Sequence, residues 1–397
     1  MGRVMSLVRN LFVALFVLLM PVWPAQVSIA SYSGSAGSSI VAAISFASQG
    51  TPVSGIQLDL AYDSSQMSTA FVIADGGRTN QKLIYASNLG TNGERVVIVG
   101  MNRNPLPDGP LITVFVNLKA SALVGRLPLT MSHVVCSDPD GQSVATTTVD
   151  GNILVTASSP DASPIAPEGV LNAASLRSGS IAPGEIITLI GSSIGPASPA
   201  QNQGNSIGTT LGGTRLLLNE IASPMLYASS NQINAVVPYA VSGPSADLVI
   251  ETAGQRLRGV TLPVASVTPA IFTLNSTGVG AGAILNEDYS VNAPSNPASR
   301  GSVVSIFATG AGQMNPPATD AQLGDSAALG KPVLPVLIAI QGNAVDPLYA
   351  GAVPGLISGL IQVNFRIPDS ILPADAVPIS IQIGSVGSPS GVTIAIK

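Results

Sequence analysis

The stretch SGIQLDLAYD, Ser54–Asp63, decides the fold. Ile56, Leu58, Leu60 and Tyr62 fall on one side of an extended chain, and Gln57, Asp59 and Ala61 on the other. Strict alternation of this kind is the signature of a half-buried strand, because successive side chains of a strand leave opposite faces. The same period of two returns in ERVVIVGM (94–101), LITVFVNLKA (111–120), GEIITLIG (184–191), GSVVSIFATG (301–310) and VPISIQIGS (377–385), each rich in Val and Ile and bounded by Gly, Pro or Asn. No window of a dozen residues carries a helical stripe. The sequence therefore predicts an all-β chain.

Composition agrees. Of 397 residues only 9% are charged, while 41 Gly and 31 Pro supply turns and a 46% apolar fraction excludes a disordered chain. A net charge of −5, with no basic cluster after Arg9, leaves nothing to neutralise phosphates, so no nucleic-acid partner is expected. Arg3 and Arg9 precede an apolar run from Leu11 to Val22, too short for a membrane helix and of the length of a secretory leader. The expected signal peptide is 1–25; Ser28-Ile29-Ala30 fits the cleavage rule better than Trp23-Pro24-Ala25, but a cut there would remove part of the first strand pair. No later segment is apolar enough to span a membrane, so a secreted or cell-surface location is expected. The single Cys136 allows no internal disulfide.

The segment TASSPDASPIAPEG (156–169) breaks the alternation and reads as a linker, with its core at 158–168. Beyond it the chain repeats itself. YASSNQINAVVPY (227–239) parallels YAGAVPGLISGLIQVNFRIPD (349–369), matching Tyr227 with Tyr349, Asn234 with Asn364 and Pro238 with Pro368. The repeat reads as a structural joint at one place in two similar units, 169–273 and 274–397, with each Tyr hydroxyl expected to be hydrogen-bonded.

Two resemblances follow from these stretches. Residues 26–157 resemble a cohesin domain: VSIASYSGSAGSSIVAAISFA is similar to its opening strands, SGIQLDLAYDSSQM to a strand ending in an aromatic-Asp pair, and DGPLITVFVNLKA and TVDGNILV to its later strands. The resemblance implies a jelly-roll β-sandwich that binds a dockerin-type module of another secreted protein on a flat sheet face, with carbohydrate-binding modules among its relatives. Carried over by position, it nominates Gln57, Asp59 and Asn102 as binding residues. Residues 169–397 resemble an uncharacterised carboxy-terminal region of secreted bacterial proteins, two TIG-like, immunoglobulin-type β-sandwiches, through GVLNAASLRSGSIAPGEIITLIGSSIGP, NQINAVVPY and AILNEDYSVNAPSNPASRGSVVSIFATGAGQ. That resemblance supplies a fold and no activity.

Nothing in the sequence assembles a catalytic group. GSSIG (191–195) matches G-x-S-x-G, but Pro196 and Pro199 forbid the helix that follows a nucleophile elbow, and the sole histidine, His133, lies upstream of Ser193. GVGAG (278–282) opens no helix that could face a phosphate. His133 and Cys136, three apart on a strand, are expected on opposite faces, and two ligands are too few for zinc. Asp138 and Asp140 in DPDG read as a turn rather than a calcium loop. No spacing singles out a hydrolytic pair among Asp59, Asp63, Asp75, Glu94 and Asp108. No metal and no cofactor are expected. The alternative to protein docking is carbohydrate or surface binding, as in polysaccharide breakdown; with Trp23 in the leader, Tyr32 and Tyr85 are its candidate platforms.

Overall fold

The computed structural model describes residues 24–73, 82–90, 92–100, 102–157, 163–202, 207–324 and 329–397. The leader up to Trp23, Asp75 and linker residues 158–162 lie outside them. The described chain is all-β, with no helix.

The first twelve strands are β1 (Ala25–Ile29), β2 (Tyr32–Ser35), β3 (Ser39–Ala47), β4 (Gly55–Ala61), β5 (Met67–Ile73), β6 (Leu83–Asn88), β7 (Gly93–Val99), β8 (Gly109–Leu118), β9 (Gly125–Ser137), β10 (Ser143–Val144), β11 (Thr146–Val149) and β12 (Gly151–Thr156). They wind back and forth between two sheets, β11-β1-β3-β8-β5 and β2-β12-β9-β4-β7-β6, as a jelly-roll sandwich. Val27, Ile44, Leu58, Leu60, Ile98, Val114 and Ile153 fill the space between them. The inward positions are the ones the alternation marks: β3 reads Ile40, Ala42, Ile44, Phe46 into the core.

The two sheets differ in what covers their outer sides. The strand Ile165–Asn172 lies against β3, and Ile186–Gly191 lies against β8. Phe115, on the side of β8 away from the sandwich core, is consequently 1% exposed. Ser192 Oγ also donates to the Leu118 carbonyl at 2.9 Å. The opposite sheet keeps exposed apolar side chains on its outer side: Val99 at 45%, Val135 at 50% and Tyr85 at 54%.

The remaining strands form two further pairs of sheets around two cores, one drawing on Ile165 to Leu262 and the other on Val267 to Ile396, with Met314–Asn315 and Lys331–Pro332 as a separate two-stranded sheet. Both repeat one arrangement. In the first, Ile186–Gly191 pairs with Gln232–Val236, which pairs with Met225–Ala228; in the second, Val303–Thr309 pairs with Ile361–Arg366, which pairs with Tyr349–Ala352. Tyr227 stands opposite Asn234, and Tyr349 opposite Asn364. The bond between the amides also repeats: Gln232 Nε2 donates to Asn234 Oδ1 at 2.9 Å, and Gln362 Nε2 to Asn364 Oδ1 at 2.8 Å. The tyrosine hydroxyls do not match, contrary to the sequence expectation. That of Tyr349 donates to the Ala352 carbonyl at 2.6 Å, whereas Tyr227 makes no such bond among the described residues. Ala270–Ile271 pairs with Val303–Thr309, so the last core begins a few residues before position 274.

Candidate functional site

The outer face of β9-β4-β7-β6 is built from the residues that alternate away from the core. One row runs Val135, Gln57, Val97, Tyr85, each opposite the next in register. The neighbouring row runs Ser132, Asp59, Arg95, Ser87. Gln57 is half-buried, and its amide has no hydrogen-bond partner among the described residues. It stands at the middle of the upper row with apolar side chains on both sides.

Asp59 is different. The sequence placed it on the outward face facing solvent, and it does lie on that face, yet it is 7% exposed. Two side chains cover it. Arg95, directly opposite on β7, donates Nε to Oδ1 at 2.7 Å and Nη2 to Oδ2 at 2.8 Å. His133 Nδ1 lies 3.0 Å from Oδ2. The hydrogen bonds from Arg95 hold the Asp59 carboxyl below its ordinary value; desolvation opposes them, and the charges of Arg95 and His133 add to the lowering.

A register shift explains why His133 reaches Asp59. Gln57 pairs with Val135 but Asp59 pairs with Ser132, so β9 spends one more residue than β4 between those pairs. Such a bulge bends the strand and re-aims a side chain. His133 carries it, at φ +48°. Ser132 and His133 are consecutive yet both exposed, while Met131 and Cys136 point into the core. His133 and Cys136 thus lie on opposite sides, and Cys136 is fully buried.

Asn102 stands apart from both rows, three residues past the end of β7. Its carbonyl accepts from Lys82 Nζ at 2.6 Å, and its Oδ1 accepts from the Asn104 amide at 3.1 Å. Lys82 is fully buried, and burial lowers its pKa. The alternation rule gave no sign of that buried ammonium.

The other sequence candidates are engaged locally. Glu94 Oε1 accepts from Tyr62 at 2.9 Å and from Thr69 at 3.0 Å. Asp63 accepts from the Ser65 amide and hydroxyl, and Asp108 from the Ser48 amide. Asp138 Oδ1 closes a turn on the amides of Asp140 and Gln142, and Asp140 pairs with Arg103. Among the described residues no three His, Cys, Asp or Glu side chains could hold one metal ion. Ser193 has the positive φ, +56°, of an elbow, but His133 is bonded to Asp59 in the other sandwich. Gly280–Ala281 is a short strand pairing parallel with Val392–Ile396. Tyr32 is no platform: its ring packs on the core and its hydroxyl accepts from the Ala43 amide at 3.0 Å. No helix of the described residues is long and apolar enough to cross a membrane.

No family model and no curated protein matches the chain. Solved structures do. A non-cellulosomal cohesin from the archaeon Archaeoglobus fulgidus is 21% identical, over 34% of this chain and 93% of its own, with a TM-score of 0.30. The sixth cohesin of scaffoldin B from Acetivibrio cellulolyticus, solved in complex with a dockerin, is 16% identical over 34% of this chain and 100% of its own, with a TM-score of 0.31. A type I cohesin–dockerin complex from Clostridium thermocellum is 12% identical over 34% of this chain and 100% of its own, also at 0.31.

Proposed function

We propose that the chain is a secreted, non-catalytic binding protein. Its first sandwich, 26–157, docks a dockerin-type module of another secreted protein on the outer face of β9-β4-β7-β6. Two immunoglobulin-type units of TIG kind, 169–273 and 274–397, follow the linker 158–168 as spacer or attachment modules. The observation that carries this reading is the row Val135, Gln57, Val97, Tyr85. It sets an unbonded amide between apolar side chains on the outer face opposite the one that the strands Ile165–Asn172 and Ile186–Gly191 cover. A contact there would desolvate the amide at its centre, where hydrogen bonds count most. Arg95 and His133, already turned onto Asp59, form a polar flank. Asn102 is a turn residue beside this face and contributes less.

Export with cleavage after Ala25 belongs to the same proposal. A cut after Ala30 would remove β1, whose Val27 and Ile29 are core residues. Exported protein would then carry no tryptophan and show no emission on excitation at about 295 nm.

The test is titration of the full chain with dockerin modules, comparing wild type with Gln57→Ala/Tyr85→Ala. The double variant should melt like wild type and bind at least about tenfold more weakly, about 1.4 kcal/mol. Unchanged affinity removes the face. The exposed Tyr85 ring also favours a second reading, a carbohydrate-binding or adhesion module. Polysaccharide retention abolished by Tyr85→Ala, with no dockerin bound, would establish it.

A further inference from the structure

Where the first sandwich meets the two units that follow, the surface encloses a groove of about 530 Å3. Phe272 contributes aromatic wall, Leu171 and Leu226 aliphatic wall, and Gln232 and Asn234 a polar strip, while Phe71 of β5, packed on the first core, borders one end. Pockets of this size and mixture, apolar walls with a few convergent polar groups at a domain junction, are the usual form of a small-ligand site.

The polar strip is fixed. Ile233 and Ala235 are fully buried, which turns Gln232 and Asn234 to the other side of the strand, toward the groove. The bond from Gln232 Nε2 to Asn234 Oδ1 locks the two amides against each other. It leaves Gln232 Oε1 as an acceptor and Asn234 Nδ2 as a donor, with no further protein partner among the described residues. Each amide group offers donors on nitrogen and an acceptor on oxygen, so the pair presents one of each to a ligand.

The walls restrict what the ligand is. Among the described residues no charged side chain lines the groove, so an ionic ligand would lose its hydration without gaining a counter-charge from them. A purely apolar ligand would strand the amide acceptor and donor. We propose that this groove binds a neutral sugar chain. The ring's C–H face packs on Phe272, and its hydroxyls, each donor and acceptor at once, answer Gln232 Oε1 and Asn234 Nδ2. The site is separate from the docking face and holds whether or not a protein partner uses that face.

The second copy provides the control. Gln362 and Asn364 make the same amide bond on the equivalent strand but do not line the groove. If the amide pair served the fold alone, both copies would respond alike to substitution.

The experiment is titration of the full chain with neutral tetrasaccharides, cellotetraose and chitotetraose, by calorimetry and saturation-transfer NMR. A galacturonate tetramer and a blocked Ser-Gly peptide serve as comparisons. Binding of a neutral tetrasaccharide is expected, weakened about tenfold by Asn234→Ala and by Phe272→Leu, which keeps apolar bulk, and unchanged by Asn364→Ala. Failure of both neutral sugars to bind at about 10 mM overturns the proposal. So does equal weakening by Asn234→Ala and Asn364→Ala, or binding of the peptide or the acidic sugar in place of the neutral one.

Discussion

Arg95 closes both oxygens of the Asp59 carboxylate from the adjacent strand, at 2.7 and 2.8 Å. Asp59→Asn keeps the shape and removes the charge. Discounted for the partly exposed guanidinium, it should cost about 1 kcal/mol of stability in thermal melts. The acid side carries a sign. A carboxyl whose folded pKa lies below 3.8 contributes stability that is present above that value and lost as the pH falls through the folded pKa. Wild type should therefore lose melting temperature at strongly acid pH by more than Asp59→Asn does. Equal acid profiles would show that the pair stabilises nothing.

Glu185 is fully buried in the second core region, its Oε1 accepting from Asn172 Nδ2 at 2.8 Å and its Oε2 from the Ala182 amide at 2.7 Å. Both bonds favour the ionised form, but desolvation outweighs them and pushes the carboxyl up to about 7. Since the folded value exceeds the ordinary 4.5, its contribution is complete below pH 4.5 and is lost as the pH rises to about 7. The loss should be on the order of 3 kcal/mol. Denaturant melts of wild type across that window should slope downward, and Glu185→Gln should flatten the slope whatever its own midpoint.

Tyr349→Phe and Tyr227→Phe test the repeated joint. The Tyr349 hydroxyl donates to the Ala352 carbonyl, so its removal should cost about 1 kcal/mol. Tyr227→Phe should be close to neutral. Equal losses in calorimetry would mean that the two hydroxyls do the same work.

Gly184 takes φ +72°, and a Cβ there would run into the Tyr239 ring. Gly184→Ala therefore combines a left-handed backbone with overpacking, and should cost about 2–4 kcal/mol. A melting temperature like that of wild type would show that the ring moves aside freely.

The alternation in Ser54–Asp63 and its counterparts determined by itself that the chain is all-β and which side of each strand faces a core. Leu58 and Leu60 are buried as the pattern requires. The doubled phrase likewise determined which strands are equivalent: Tyr227 opposite Asn234, and Tyr349 opposite Asn364. Periodicity carries this information because it is local, fixed by the geometry of one strand. It says nothing about what covers the other side. That Phe115 is buried where the strand Ile186–Gly191 lies against β8, that a bulge turns His133 onto Asp59, and that Glu185 is withdrawn from water were decided by segments tens of residues away. Which hydroxyl of a matched pair finds a carbonyl was decided the same way. Burial, ionisation and hydrogen bonding depend on the neighbours a side chain acquires in space, and those exist only after the sheets have packed.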